Sequence, residues 1–114
     1  MDRLPNFANA FVGIEKLTEY SLSELHPVGK EKAIVFKSVL GITSENALLL
    51  KEAILLGVGQ NSSTKKQTDE YGKRFTVNMK IRIFEKEAKI TTGWIIKTGE
   101  DFPRLTTCYI NSKR

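Results

Sequence analysis

Arg74-Phe75-Thr76-Val77-Asn78-Met79-Lys80-Ile81-Arg82-Ile83 alternates polar and apolar residues without a break. A period of two sends successive side chains to opposite faces of a strand. Phe75, Val77, Met79, Ile81 and Ile83 therefore share one face, and Arg74, Thr76, Asn78, Lys80 and Arg82 share the other. A strand with one apolar and one mainly basic face fits an antiparallel sheet that is covered on one side only. This stretch decides the fold: the C-terminal remainder of the chain must supply partner strands, and the N-terminal part must supply the cover.

Downstream, Glu85-Lys86-Glu87 supplies a short turn. Ala88, Ile90, Thr92, Trp94 and Ile96 then alternate with Lys89, Thr91, Gly93, Ile95 and Lys97 as a second strand. Trp94 shares its register with Ile90 and Ile96, which assigns it to core packing rather than to base stacking on the opposite face. Gly99-Glu100-Asp101 turns the chain again, and a third strand runs from about Arg104 to Ile110. If that strand is regular, Leu105 and Tyr109 point inward. Arg104 and Thr106 then share one face, and Thr107 takes the other.

Upstream, the period is 3.6. Leu4 to Phe11, with Pro5 and two asparagines, reads as an extended arm lying over the fold. Ile14 to Leu22 is compatible with a short helix, and Pro27 stops its continuation. After Gly29, Ala33, Phe36 and Leu40 recur at helical spacing, and Gly41 suits the residue after the helix end. A third helix has Ser44 as N-cap, Glu45 in its first turn, a largely buried run from Ala47 to Leu56, and Gly57 and Gly59 closing it. Asn61 to Gly72 is polar and aperiodic and reads as a loop. The expected fold is thus α+β, with two to three N-terminal helices packed on one face of a C-terminal antiparallel β-meander.

The chain has 114 residues, 40% hydrophobic and 27% charged, as expected of one domain over residues 1–114. No apolar run approaches the ~18 residues that span a bilayer, so no membrane partner is expected. The start Met1-Asp2-Arg3-Leu4-Pro5 lacks the layout of a signal peptide. With a single cysteine, Cys108, read as a small strand residue, the expected setting is a reducing cytoplasm. The formal charge of +5 is unevenly spread. Residues 1–72 carry 8 Lys/Arg against 9 Asp/Glu (8 − 9 = −1), and residues 73–114 carry 10 against 4 (10 − 4 = +6). A basic balance gathered in one segment is a footprint for phosphate backbones.

Three places carry candidate chemistry. The polar face of the strands offers Arg74, Lys80, Arg82, Lys89 and Lys97 beside Thr76, Asn78 and Thr91. Such a face supplies cations for phosphates, with hydroxyls and amides for base edges and 2′-hydroxyls; its bland alternative is a solvated face whose cations discourage edge pairing. His26-Pro27-Val28-Gly29-Lys30-Glu31-Lys32 holds the only histidine, with two lysines close behind at a helix entry. Imidazole suits proton transfer near neutral pH, and an ammonium suits a phosphate. The plain alternative is a turn whose ring caps the backbone. Arg104, Thr106 and Thr107 place a guanidinium and two hydroxyls at a strand start, suited to phosphate or its transition state. One histidine and one cysteine without paired carboxylates make a poor metal site, and phosphate-cradling glycine loops are absent, so no metal or other cofactor is expected.

Leu4-Pro5-Asn6, Lys16-Leu17-Thr18-Glu19-Tyr20-Ser21-Leu22, His26-Pro27-Val28-Gly29-Lys30, Lys32-Ala33, Tyr71-Gly72, Thr92-Gly93-Trp94-Ile95 and Pro103-Arg104-Leu105-Thr106-Thr107-Cys108-Tyr109 together resemble a family of small bacterial domains of unassigned function. The likeness covers nearly the whole chain. The order of helices and then meander, with His-Pro-x-Gly-x-x-Lys at a helix start, also resembles metal-independent ribonuclease toxins of the barnase, EndoU, colicin-D and RelE-like group. That resemblance implies, by role, His26 as general acid/base, Lys30 or Lys32 as phosphate or transition-state cation, and Arg104 with Thr106 or Thr107 at the phosphate.

Two functions are therefore expected as alternatives. One is a toxin that is an RNA endonuclease, acting on tRNA or mRNA, in which 2′-hydroxyl attack yields a 2′,3′-cyclic phosphate. The other is a non-catalytic module that binds RNA or a protein through the basic sheet face. The toxin reading further implies a small acidic antitoxin or immunity protein. The choice turns on one spatial condition: His26 must meet Arg104.

Overall fold

The computed structural model describes residues 2–111; Lys113 and Arg114, the end of the basic segment, lie outside the described residues. Two α-helices precede a four-stranded antiparallel sheet. Helix α1 spans Lys30–Leu40 and α2 spans Ala47–Val58. The strands are β1 Ser63–Asp69, β2 Gly72–Ile83, β3 Lys86–Lys97 and β4 Arg104–Ile110, in the order β1-β2-β3-β4. The expected α+β layout is present, with the helices N-terminal to the strands.

The inner sheet face is built from the predicted alternation. Val77, Met79 and Ile81 of β2, Ile90 and Trp94 of β3, and Leu105 and Cys108 of β4 are buried in one cluster with Phe36 and Leu40 of α1 and Leu50, Ile54 and Val58 of α2. Helix α2 lies against β2, and α1 against β3 and β4. A buried polar pair on this face is satisfied: Thr92 Oγ1 donates to the Val77 carbonyl (2.9 Å) and accepts from Trp94 Nε1 (2.8 Å). Among the described residues, no single helix is long and apolar enough to cross a membrane.

Several expectations need correction. The polar stretch Asn61 to Gly72 is not a loop, because Ser63–Asp69 forms edge strand β1, paired with β2. It is almost wholly exposed on both faces, so no hydrophobic alternation marks it, and its lysines suit an unpaired edge. Ile14 to Leu22 does not make an ordinary helix: it closes into a π-helical turn at Leu17–Ser21, where Leu22 N donates to Leu17 O (2.8 Å). The N-cap before α2 is Thr43, not Ser44. Thr43 and Asn46 form a reciprocal capping box around a 3₁₀ turn, and Gly57 lies inside α2 rather than after it. The run Ala47 to Leu56 is only partly buried, since Leu48, Leu49 and Leu56 face outward. The β2–β3 turn is Phe84-Glu85, both with positive φ, as a tight hairpin demands.

The third predicted strand, β4, is not regular. Gly93 pairs with Thr107, whereas Trp94 pairs with Leu105, so Thr106 is an extra residue in a β-bulge. The slip keeps Leu105 and Cys108 inward and turns Tyr109 outward, opposite Thr91. Gly93 is what permits it: a Cβ there would stand 3.0 Å from Thr106 Oγ1 and 3.2 Å from Thr107 Cγ2.

Candidate functional site

The free edge of β4 is covered by the N-terminal segment. Phe11 forms a parallel bridge to Arg104, donating to the Pro103 carbonyl (2.8 Å) and accepting from Leu105 N (2.9 Å). The π-helical turn and the His26 turn come next in the chain. Between them and the outer sheet face lies a cleft of about 450 Å³, a size suited to a small ligand or one nucleotide unit. Its polar lining is Glu15, Lys16, Tyr20, His26, Lys97, Arg104 and Thr106, and its apolar lining includes Phe11 and Ile95. Ile95 faces outward with the basic residues, yet the N-terminal segment buries it to 6% exposure.

His26 and Arg104 therefore line the same cleft. The ring is held in a defined way. Its Nδ1 accepts from the backbone N–H of Val28 and of Gly29, each at 3.0 Å, and it meets the Tyr20 ring edge-on with centroids 4.9 Å apart. An Nδ1 that accepts two N–H bonds carries no proton, so the proton of the neutral ring is on Nε2. The capping role is realised on Nδ1, which leaves Nε2–H without a protein hydrogen-bond partner among the described residues.

The lysines divide. Lys32 is half-buried and donates to the Tyr20 hydroxyl (3.0 Å), with its ammonium 4.8 Å from the Tyr20 ring centre. It stands behind Tyr20 rather than in the cleft lining. Lys30 is exposed on the first turn of α1 and does not line the cleft. Lys16 and Lys97, neither of them in the catalytic set expected from sequence, do.

Arg104 is already engaged. Glu100 takes its Nε and Nη2 in two bonds of 2.8 Å, and Phe11 and Phe102 lie 5.3 and 4.8 Å from the guanidinium carbon. The bond from Arg104 holds the Glu100 carboxyl below its ordinary range, and the same bond pushes the Arg104 guanidinium higher still. Thr106 reaches the cleft through the bulge. Thr107 does not line it, and its Oγ1 is buried without a protein partner.

The expected nucleic-acid face is partly self-neutralised. Arg74 pairs with Asp69, and Lys80 and Arg82 share Glu87. The Tyr71 backbone N–H, more than any charge, lowers Asp69. Lys89 and Lys97 have no ion pair among the described residues, and Thr91 is bound to Asn78 and Asn111. No group of three or more His, Cys, Asp or Glu side chains gathers as a metal site among the described residues. Cys108 is buried in the core, and that burial pushes its thiol up to about 11.

The missed residues, Glu15, Lys16 and Tyr20, share one origin. They become neighbours only because Phe11 pairs with Arg104, and a single bridge leaves no periodic trace in a sequence.

Fold and site together define a small α+β domain with a polar cleft where its N-terminal segment wraps the last strand. The chain matches the family described as Domain of unknown function (DUF6883) over residues 3–112, and it belongs to that family. No curated protein and no solved structure matches it.

Proposed function

We propose that the chain is a toxin that cleaves RNA at this cleft without a metal, by attack of a 2′-hydroxyl on the adjacent phosphorus. The observation that carries the reading is the convergence of His26, Tyr20 and Glu15 from the N-terminal segment with Arg104 and Thr106 of β4 around one cavity. The reaction needs a base, an acid and cations near the phosphate.

Glu15, the carboxylate of the cleft, takes the 2′-hydroxyl proton. The 2′ oxygen bonds to phosphorus and the bond from phosphorus to the 5′ oxygen breaks, leaving a 2′,3′-cyclic phosphate. Tyr20 gives its proton to the departing 5′ oxygen, and the Lys32 ammonium at 3.0 Å stabilises the phenolate that forms. His26 acts through Nε2–H, as a hydrogen-bond donor to a phosphate oxygen, because its other nitrogen is tied to the backbone. Lys16 and Lys97 hold the phosphate charge. Arg104, committed to Glu100, positions the cleft floor beneath Thr106.

A protein that blocks this cleft would do so best if it is small and acidic, so an antitoxin or immunity protein of that kind is the expected partner. Growth on induction tests the reading: wild type should arrest cells and degrade RNA, while Tyr20→Phe and His26→Asn should be tolerated. Equal growth of all three with intact RNA rejects it.

A further inference from the structure

The cleft opens onto a longer path. Thr106 lines both the cleft and a shallow depression over Gly93, and Lys66 and Thr76 line both that depression and a wide outer hollow of about 990 Å³. The three concavities thus share walls, running from the His26 turn across the outer sheet face. Such a row of adjoining concavities suits an extended chain better than a compact ligand.

The far hollow has a definite chemistry. Tyr109 stands there 38% exposed, turned outward by the bulge at Thr106, on a face that could have carried a small polar residue. Beside it, the Thr91 hydroxyl lies 2.7 Å from the Asn78 side-chain amide and 2.9 Å from that of Asn111. One hydroxyl has one proton, so Thr91 donates to one of the two side-chain oxygens, Asn78 Oδ1 or Asn111 Oδ1, at a time. Both asparagines are exposed, and their side-chain oxygens converge on the hydroxyl of a largely buried threonine. Lys66 and Lys89 flank them without ion pairs among the described residues. An aromatic plane, two exposed amides and unpaired cations form the set that single-stranded RNA uses: a π-face for a base, donors and acceptors for its edge, and charge for phosphates.

We infer that this hollow is a nucleobase subsite for single-stranded RNA, in which one base stacks on Tyr109 and its edge is read by Asn78 and Asn111. The subsite rests on the ribonuclease reading and extends it: it grips the strand a short distance from the scissile phosphate, so sequence preference arises here and cleavage arises at the His26 cleft. Lys66 and Lys89 take the intervening phosphates.

The test uses the His26→Asn protein, silenced for cleavage, and a fluorescein-labelled single-stranded RNA of mixed sequence at low salt. Adding Tyr109→Ala should weaken binding about tenfold, as loss of one stacked base does, while Tyr109→Phe should bind nearly as well. Asn78→Ala should instead change which RNA sequences are preferred, and Lys89→Gln should flatten the salt dependence by about one phosphate contact. If the parent binds RNA and Tyr109→Ala with Asn78→Ala binds equally well with the same preferences, the subsite is wrong and the cleft reading survives. If the parent binds no RNA at low salt, the subsite falls together with the reading beneath it. Circular dichroism of each variant shows that the sheet is intact.

Discussion

Glu100 grips Arg104 through two parallel bonds, Oε1 to Nε and Oε2 to Nη2, each 2.8 Å long. The pair closes the loop before β4 and fixes the floor of the cleft. The Glu100 carboxyl is held below its ordinary value of 4.5 by this bond. A lowered carboxyl stabilises the fold fully above that ordinary value and loses the contribution as pH falls through the lowered one. Wild type should therefore melt higher than Glu100→Gln at neutral pH, and the gap should close in acid. A gap that stays constant with pH contradicts the pairing. The effect is modest, since the pair is partly exposed.

Gly29 and Gly57 should respond differently to the same change. A Cβ on Gly29 runs into the Tyr20 backbone carbonyl, which cannot move without displacing the π-helical turn. Gly29→Ala should destabilise by about 1–3 kcal/mol, as overpacking does, and should disrupt the cleft. A Cβ on Gly57 meets chiefly the flexible Met79 side chain, and a helix interior favours Ala over Gly by about 1 kcal/mol. Gly57→Ala should be close to neutral. Urea unfolding of both variants decides the matter.

Thr92 links the Val77 carbonyl to the Trp94 indole inside the core. Thr92→Val strands the indole N–H in a dry site, at a cost of about 1–3 kcal/mol. The measurement is the unfolding midpoint, followed by the fluorescence of Trp94 itself. An unchanged midpoint would show that the indole finds another partner.

Cys108 is buried in the core and its thiol is raised to about 11 by desolvation. The thiolate is the reactive form. Iodoacetamide at pH 8 should leave the native protein unlabelled and modify it once denatured; rapid native labelling would contradict the burial.

The inner half of the sheet was legible because its chemistry is periodic: Phe75 to Ile83 alternate strictly, and Trp94 fell where its register put it. Strand β1 left no such mark, since both its faces meet water. The bulge at Thr106 was hidden because bulges depend on what the neighbouring strand allows, here Gly93. One clue to the cleft was present in the sequence. Ile95 stands among Lys89, Thr91, Gly93 and Lys97 on the polar face, and an isoleucine there implies a cover. The cover is the segment from Phe11 to His26, and its arrival also explains why Lys32 serves Tyr20 rather than a phosphate directly. His26 could be read from sequence either as a turn residue or as a site residue; it caps the turn through Nδ1 and also lines the cleft.

A division of labour on that ring is the centre of the functional account, and His26→Asn isolates it. An asparagine oxygen can accept from the same backbone N–H groups and keep the turn, but it has no Nε2–H to offer the cleft. The decisive measurement is incubation of purified wild type and His26→Asn with single-stranded RNA in excess EDTA, with the product ends identified by mass. The account predicts cleavage by wild type to a 2′,3′-cyclic phosphate and a 5′-hydroxyl, and a loss of about a hundredfold or more in His26→Asn at unchanged stability. Intact RNA with the wild type, or equal cleavage by both proteins, would contradict it.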